Sequence, residues 1–242
     1  MLAGNPGLEE PLPFYPALLD LKDRLVLLVG GGRVAARKLD SLLGAGARVR
    51  LVSPRLCPEA QAQVGAPGVE LRERGFEPGD VEGAWLVISA TDDEALNRSV
   101  ARAAQQARVF VNVVDVPPLC SFIVPAVVRR GELTLAVSTG GASPAAARRL
   151  RQSLDKQFGP EWGVYLAILK AARHKLTALG RPAEENRPLF YELVDSPLLE
   201  RVAAGDAAGV EGILARVLGP GFGLEDLGLE AGLAAGEGRE PA

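Results

Sequence analysis

Short unbroken apolar runs alternate along the first half of the chain with stretches of helical spacing. Leu25-Val26-Leu27-Leu28-Val29 runs straight into Gly30-Gly31-Gly32. An apolar run of that length, with no polar residue on alternate positions, predicts a strand buried on both faces, as in a parallel sheet. From Val34 to Ala45 the spacing changes. Val34, Leu39, Leu42 and Leu43 recur on a helical period, Arg37 and Lys38 are polar, and Gly44 and Gly46 stop the helix. Val49–Val52, the weaker Glu70–Glu73, Trp85–Ala90 and Val109–Val114 predict four further strands. Thr91-Asp92-Asp93 offers helix caps for a helix over Glu94–Gln106. Strands alternating with helices predict βαβ units and an α/β fold with a Rossmann-type parallel sheet.

The pattern changes after Pro117-Pro118. Ser121–Val128 and Leu133–Ser138 predict two strands joined through Arg129-Arg130-Gly131-Glu132, and Ser143-Pro144 opens a long helix with proline in its first turn. This small α+β segment is followed by helical sequence to about Leu218, broken near Gly180-Arg181-Pro182, which predicts a C-terminal helical domain. Residues 1–14 read as a loose arm. The last residues are rich in Gly, Ala and Glu and read as a disordered tail.

The chemistry gathers at the strand ends. Gly30-Gly31-Gly32-Arg33-Val34-Ala35 matches G-x-G-x-x-A between a strand and a helix. The first glycine permits a tight turn, the second lets backbone approach a pyrophosphate, and the alanine lets helix and sheet pack closely. Free N–H groups and the helix dipole then favour the anion. The second strand ends at Ser53-Pro54-Arg55, without the acid that would hold an adenine ribose, so the motif leaves NAD and NADP open. Asp115 follows the strand Val109–Val114, where ligands bind in open α/β sheets. It is placed to take a proton or hold a ligand amine, or it is a turn aspartate. Asp92 and Asp93 read better as helix caps. Ser138, Thr139, Gly140 and Gly141 precede the helix at Ser143-Pro144 and could hold a carboxylate there, although a plain cap by Ser143 explains the same residues. Arg148 and Arg149 lie further along that helix.

Charge and composition narrow the choice. Net charge is only −3, which does not suggest a nucleic-acid partner, but residues 120–158 carry Arg129, Arg130, Arg148, Arg149, Arg151 and Lys156 against Glu132 and Asp155. That local excess suits an acidic ligand. Cys57 and Cys120 are too few for a disulfide framework and fit a reducing compartment, and with His174 as the sole histidine no metal site is expected. No signal peptide and no membrane-length apolar run are expected, so the chain reads as cytoplasmic. The Tyr–Lys pair of short-chain dehydrogenases and a P-loop lysine are both missing from the pattern.

Taken together these residues resemble the precorrin-2 dehydrogenase family, found as the N-terminal module of sirohaem synthase and as free-standing enzymes. The resemblance rests on several pieces. These are Tyr15-Pro16 with Leu18; Val29 through Ala35 with Arg37-Lys38; Ala90-Thr91-Asp92-Asp93 with Asn97; Asn112-Val113-Val114-Asp115 with Pro117; Ser121 through Ala126; and Val137 through Pro144. It implies NAD-dependent oxidation of precorrin-2 to sirohydrochlorin in sirohaem or cobalamin synthesis, with iron insertion (ferrochelatase activity) in some members. It implies that Asp115 is catalytic and that cofactor contacts fall on Gly30, Gly31, Gly32, Arg33, Val34, Ser53, Pro54, Arg55 and Thr91. Substrate contacts fall on Ser138, Thr139, Gly140, Gly141, Arg148 and Arg149. Residues 1–118 become the NAD-binding domain and 119–158 a dimerisation and substrate segment. A helical domain covers 159–219 and a tail 220–242. The homodimer it implies agrees with the apolar Phe122-Ile123-Val124, read as an uncovered strand. One departure is Thr139, which stands where the fused enzyme has a phosphorylated serine, and the chain is too short for the fused methyltransferase. A non-catalytic NAD-sensing module is the alternative; it would share the glycine loop without needing Asp115 or the basic segment.

Overall fold

The computed structural model describes residues 14–229. The loose arm expected over residues 1–14 lies, apart from Phe14, outside them. Two compact units divide after Val124. The division comes later than the expected 118 because the chain stays tied to the sheet: the Ser121 N–H donates to the Val111 carbonyl at 2.8 Å, and the Ser121 Oγ accepts from the Val111 N–H at 2.8 Å.

The first unit is a five-stranded parallel sheet in the order β3-β2-β1-β4-β5, comprising β1 (Leu25–Val29), β2 (Arg48–Val52), β3 (Val69–Arg72), β4 (Leu86–Ser89) and β5 (Phe110–Val113). Helices α1 (Arg33–Gly44), the short α2 (Pro58–Gln61) and α3 (Glu94–Gln106) connect them. The unbroken apolar run of β1 has a direct cause. Val26 and Leu28 point into one core with Val49, Leu51 and Ile88 under Ala35 and Leu39 of α1. Leu27 and Val29 point into a second core with Val87, Val111 and Val113 against Val100 and Ala104 of α3. Both faces are covered, so neither set of positions can be polar.

β3 is a weak strand in sequence because it is an edge held by charge. The buried Asp80 carboxylate accepts from Arg74 Nη1 and Nη2 at 2.8 and 2.7 Å, from the Glu77 N–H at 2.9 Å, and from Arg72. Arg50 binds Glu70 at 3.1 Å and the Asp80 and Glu82 carbonyls at 2.9 and 3.0 Å. Burial alone would raise the Asp80 carboxyl, but the donors from Arg74, Glu77 and Arg72 outweigh it and hold it at about 2. The folded value lies below the unfolded value of about 3.9. The stabilisation is therefore present above about pH 4 and lost as pH falls towards 2; it amounts to about 2 kcal/mol. Asp80→Asn is expected to lose about that much at neutral pH, with the gap to wild type closing between about pH 4 and 2 in acid unfolding. Equal stability at neutral pH would contradict this account.

The second unit opens with a hairpin of β6 (Ala126–Arg130) and β7 (Leu133–Val137), followed by α4 (Pro144–Gln157). The strand expected over Ser121–Val128 is shorter. Residues 121–124 belong to the first unit, where Phe122 packs on the α1 side of the sheet, so Phe122-Ile123-Val124 is not an uncovered strand. The turn is Gly131-Glu132, and Gly131 (φ +55°) abuts Gly163, where a Cβ on Gly131 would lie 3.3 Å from the Gly163 Cα. Helices α5 (Glu161–Ala178), α6 (Ala183–Asp195), α7 (Leu198–Ala203) and α8 (Ala207–Leu218) enclose a core around Ile168, Leu176, Leu193, Leu198 and Leu214. Phe222 and Leu224 are buried in that same core, so residues 220–229 are packed and not tail. The rest of the expected tail lies outside the described residues.

Candidate active site

The loop after β1 is shaped by its three glycines, each differently. Gly30 has φ +121°, and a Cβ there would lie 2.3 Å from the Ala90 carbonyl oxygen. At Gly31 a Cβ would lie 2.0 Å from the Arg55 carbonyl oxygen. At Gly32 a Cβ would meet nothing within 4 Å. The first two glycines thus let the loop nest against the ends of β4 and β2, and the third faces open space. Gly32 is also the cap residue of α1, with no side-chain cap and no acid in the first turn. The N–H groups of a 12-residue helix are left for an outside acceptor, the arrangement an anionic pyrophosphate fits.

The segment after β2 holds this loop. Ser53 is buried, its hydroxyl donates to the Arg55 carbonyl at 2.6 Å, and the Cys57 N–H donates to the Gly31 carbonyl at 2.7 Å. Ser53 therefore supports the loop from inside, whereas Pro54 and Arg55 are exposed. Arg33 is exposed and pairs with Glu59 at 3.3 Å, and Val34 is half-buried. Thr91 accepts the Asp93 N–H at 3.1 Å, while Asp93 caps α3 by accepting the Leu96 N–H at 3.0 Å.

Two buried asparagines fix the neighbouring strand ends. Asn97 accepts from the Ser89 hydroxyl at 2.7 Å and donates to the Thr91 carbonyl at 2.9 Å. Asn112 donates to the Phe122 carbonyl at 3.1 Å. Neither is an expected site residue; the signal each offers in the sequence is a polar residue inside an otherwise apolar strand or helix face.

Asp115 lies two residues beyond β5, exposed, with φ +60°. The turn closes through the Val116 N–H to the Val113 carbonyl at 3.1 Å, and the Val114 N–H still bonds the Ser89 carbonyl of β4 at 2.9 Å. Val114 packs into the core under α1 and Val116 into the core under α3. Anchored on both sides, Asp115 stands at the carboxyl rim of the sheet. Two strand spacings, about 10 Å, separate it from the glycine-loop strand.

The second unit carries the other expected residues. The Ser138 hydroxyl accepts the Gly140 N–H at 3.1 Å, and Thr139 Oγ1 both accepts the Ser143 N–H and donates to the Ser143 carbonyl at 3.1 Å. Gly140 and Gly141 have φ +62° and +91°. Ser143 caps α4 through the Ala146 N–H at 3.2 Å. Arg130 and Arg151 are both drawn to Asp155, at 2.8 and 3.8 Å. Arg148 and Arg149 are exposed on α4. His174 is an exposed residue of α5. Among the described residues no helix is long and apolar enough to cross a membrane.

Known proteins share this sequence and fold. An NAD(P)-binding family model matches residues 17–126, and a model of the central region of sirohaem biosynthesis proteins matches 130–157. The first unit is accordingly a nicotinamide dinucleotide-binding domain. Sirohaem synthase of Thioalkalivibrio sulfidiphilus is 40% identical over 228 residues, 94% of this chain and 47% of that protein. Sirohaem synthase of Pseudomonas aeruginosa is 41% identical over 211 residues, 87% and 45% respectively. The chain thus spans about half the length of these relatives. Among solved structures, SirC, a precorrin-2 dehydrogenase, matches with a TM-score of 0.71 at 25% identity, over 85% of this chain and 99% of that one. Along nearly its whole length the chain is thus similar in sequence to these sirohaem synthases, and in fold to a precorrin-2 dehydrogenase.

Proposed function

We propose that the chain oxidises precorrin-2 to sirohydrochlorin with NAD, using Asp115 as the general base. The observation that carries this reading is Asp115 itself: a carboxylate held in a left-handed turn at the rim of the sheet that also bears the open glycine loop. Bound at Gly30–Gly32 and Arg33, the dinucleotide would supply the hydride acceptor. The free N–H groups of α1 hold its pyrophosphate, and the exposed Arg55 borders the loop. Asp115 takes the proton released as the substrate loses a hydride. In the second unit, taken by itself, Arg148 and Arg149 and the Ser138–Gly141 turn offer groups that suit carboxylates such as a tetrapyrrole carries. Two copies pairing through the second unit belong to the same reading. It is supported by a hairpin of only two strands covered by α4, a helix with no buried residue.

The sirohaem synthase and SirC likenesses support this substrate, and the family resemblance favours NAD. A purified chain given precorrin-2 should form NADH in step with the tetrapyrrole's change in absorbance. In titration NAD should bind more tightly than NADP. Absence of NADH would overturn the activity, and tighter NADP binding would overturn the cofactor assignment.

A further inference from the structure

β5 is the last strand of its sheet, so β4 pairs only one of its sides. After the Asp115 turn the chain returns along the open side and closes it with side chains. The Val111 N–H donates to Ser121 Oγ at 2.8 Å, and the Val113 N–H donates to Cys120 Sγ at 3.2 Å. Cys120 does more than accept that bond. Its own S–H serves two carbonyls, those of Val113 at 3.2 Å and Val116 at 3.4 Å. One sulfur atom thus binds backbone on both sides of Asp115. The loop between has few other means of closure, since Pro117 and Pro118 have no N–H to give. The tight turn over them closes through the Leu119 N–H to the Val116 carbonyl and the Cys120 N–H to the Pro117 carbonyl, both at 3.0 Å. These bonds bring Cys120 back to the strand, and the thiol then joins the returning end to both flanks of Asp115. Asp115 itself has φ +60°, a conformation that persists where its surroundings over-determine it.

We infer that Cys120 is a positioning residue for Asp115: its thiol closes the neck of the 113–120 loop and fixes where the rim carboxylate stands, an inference that rests on the reading of Asp115 as the base. Packing alone does not explain this side chain. Cys120 is half-buried beside the core under α3, where any small apolar side chain would fill the space. An apolar side chain would leave the Val113 N–H without this acceptor, and a backbone donor stripped of its partner is costly. In this role the sulfur takes no part in the chemistry. It acts through the carboxylate, by holding the turn that carries it.

The test is a double-mutant cycle on kcat, joined to a hydrogen-exchange measurement that needs no turnover. Cys120→Ala removes both donor and acceptor, and Cys120→Ser keeps both. In Cys120→Ala, kcat is expected to fall about tenfold with NAD affinity within about twofold of wild type, the scale of a slightly displaced catalytic group. Cys120→Ser is expected to recover kcat to within about threefold of wild type. In an Asp115→Asn chain, adding Cys120→Ala should cost less than about twofold, because no base is left to misplace. A thiol that serves only the fold would lower kcat by the same factor in both backgrounds, and that result overturns the inference. Wild-type kcat in Cys120→Ala overturns it too, as does an equal loss in Cys120→Ser. Exchange of the Val116 amide, which closes the turn onto the Val113 carbonyl, follows the turn in the free chain. It should quicken about tenfold in Cys120→Ala and return towards wild type in Cys120→Ser, while the amides of β1 keep their protection. Unchanged exchange at Val116 overturns the thiol's hold on the turn. An Asp115→Asn chain that turns over like wild type would instead overturn the reading of Asp115 as the base, and the exchange result would still decide whether the thiol holds the turn.

Discussion

Asp115→Asn is expected to lower turnover by about 10²–10⁴ while NAD affinity stays within about twofold of wild type, because general-base catalysis contributes on that scale. The turn makes this variant a clean one. Asp115 has φ +60°, and asparagine is among the residues that adopt this conformation most readily. The amide keeps the shape and part of the hydrogen bonding and removes only the base. Asp115→Ala would add the strain of a left-handed alanine, about 1 kcal/mol, and mix folding with chemistry. The measurement is kcat together with a direct NAD titration. An Asn variant within a few-fold of wild type would make Asp115 a turn residue. Loss of NAD binding alongside turnover would instead show that the rim turn shapes the cofactor site.

The second large effect separates neighbouring glycines. Gly31→Ala would drive a methyl group onto the Arg55 carbonyl, with Ser53 Oγ and Leu56 also inside contact distance. Both the loop and the strand end that holds it are backbone here, so neither can swing away. We expect a destabilisation of about 2–3 kcal/mol, the scale of forced overpacking, and loss of measurable dinucleotide binding. Gly32→Ala is the contrasting case. Its Cβ meets nothing in the protein, and its φ of −83° suits any residue. Stability should change by less than about 0.5 kcal/mol, while NAD affinity falls at least about tenfold because the added methyl occupies the approach of the pyrophosphate. Thermal unfolding and NAD titration of the two variants check this. Equal effects of both substitutions on stability, or a Gly32→Ala chain with wild-type affinity, would show that the open side of the loop is not where the dinucleotide lies.

Much of the first unit was legible because its physics is local. An unbroken apolar run such as Leu25–Val29 has few outcomes other than a strand covered on both faces, and a glycine turn between strand and helix announces itself. The helix over Glu94–Gln106 follows from Asp93 as cap and matches its observed bounds. What stayed hidden depended on partners distant in sequence. The G-x-G-x-x-A pattern asks nothing of its second position, yet Gly31 has the least room of the three, because Arg55 and Ser53 arrive from another strand. Ser53 read as a cofactor contact, while its hydroxyl is turned to the Arg55 carbonyl. Ser121–Val124 has the apolar, β-branched character of a strand. It becomes a strap instead, since Ser121 bonds Val111 at the sheet edge and Pro125 follows. Phe222 and Leu224 stand in a Gly-rich stretch that composition assigns to a tail, and only the helical core that receives them explains their burial. The Asp80 cluster was equally invisible, since Arg50, Arg72 and Arg74 converge on it from two strands and a loop.

Precorrin-2 in limiting amount, mixed with the chain and excess NAD with oxygen excluded, should yield one NADH for each sirohydrochlorin formed, in a reaction that needs no other oxidant. Sirohydrochlorin formed without matching NADH, or bound NAD left unreduced with precorrin-2 untouched, would contradict the assignment.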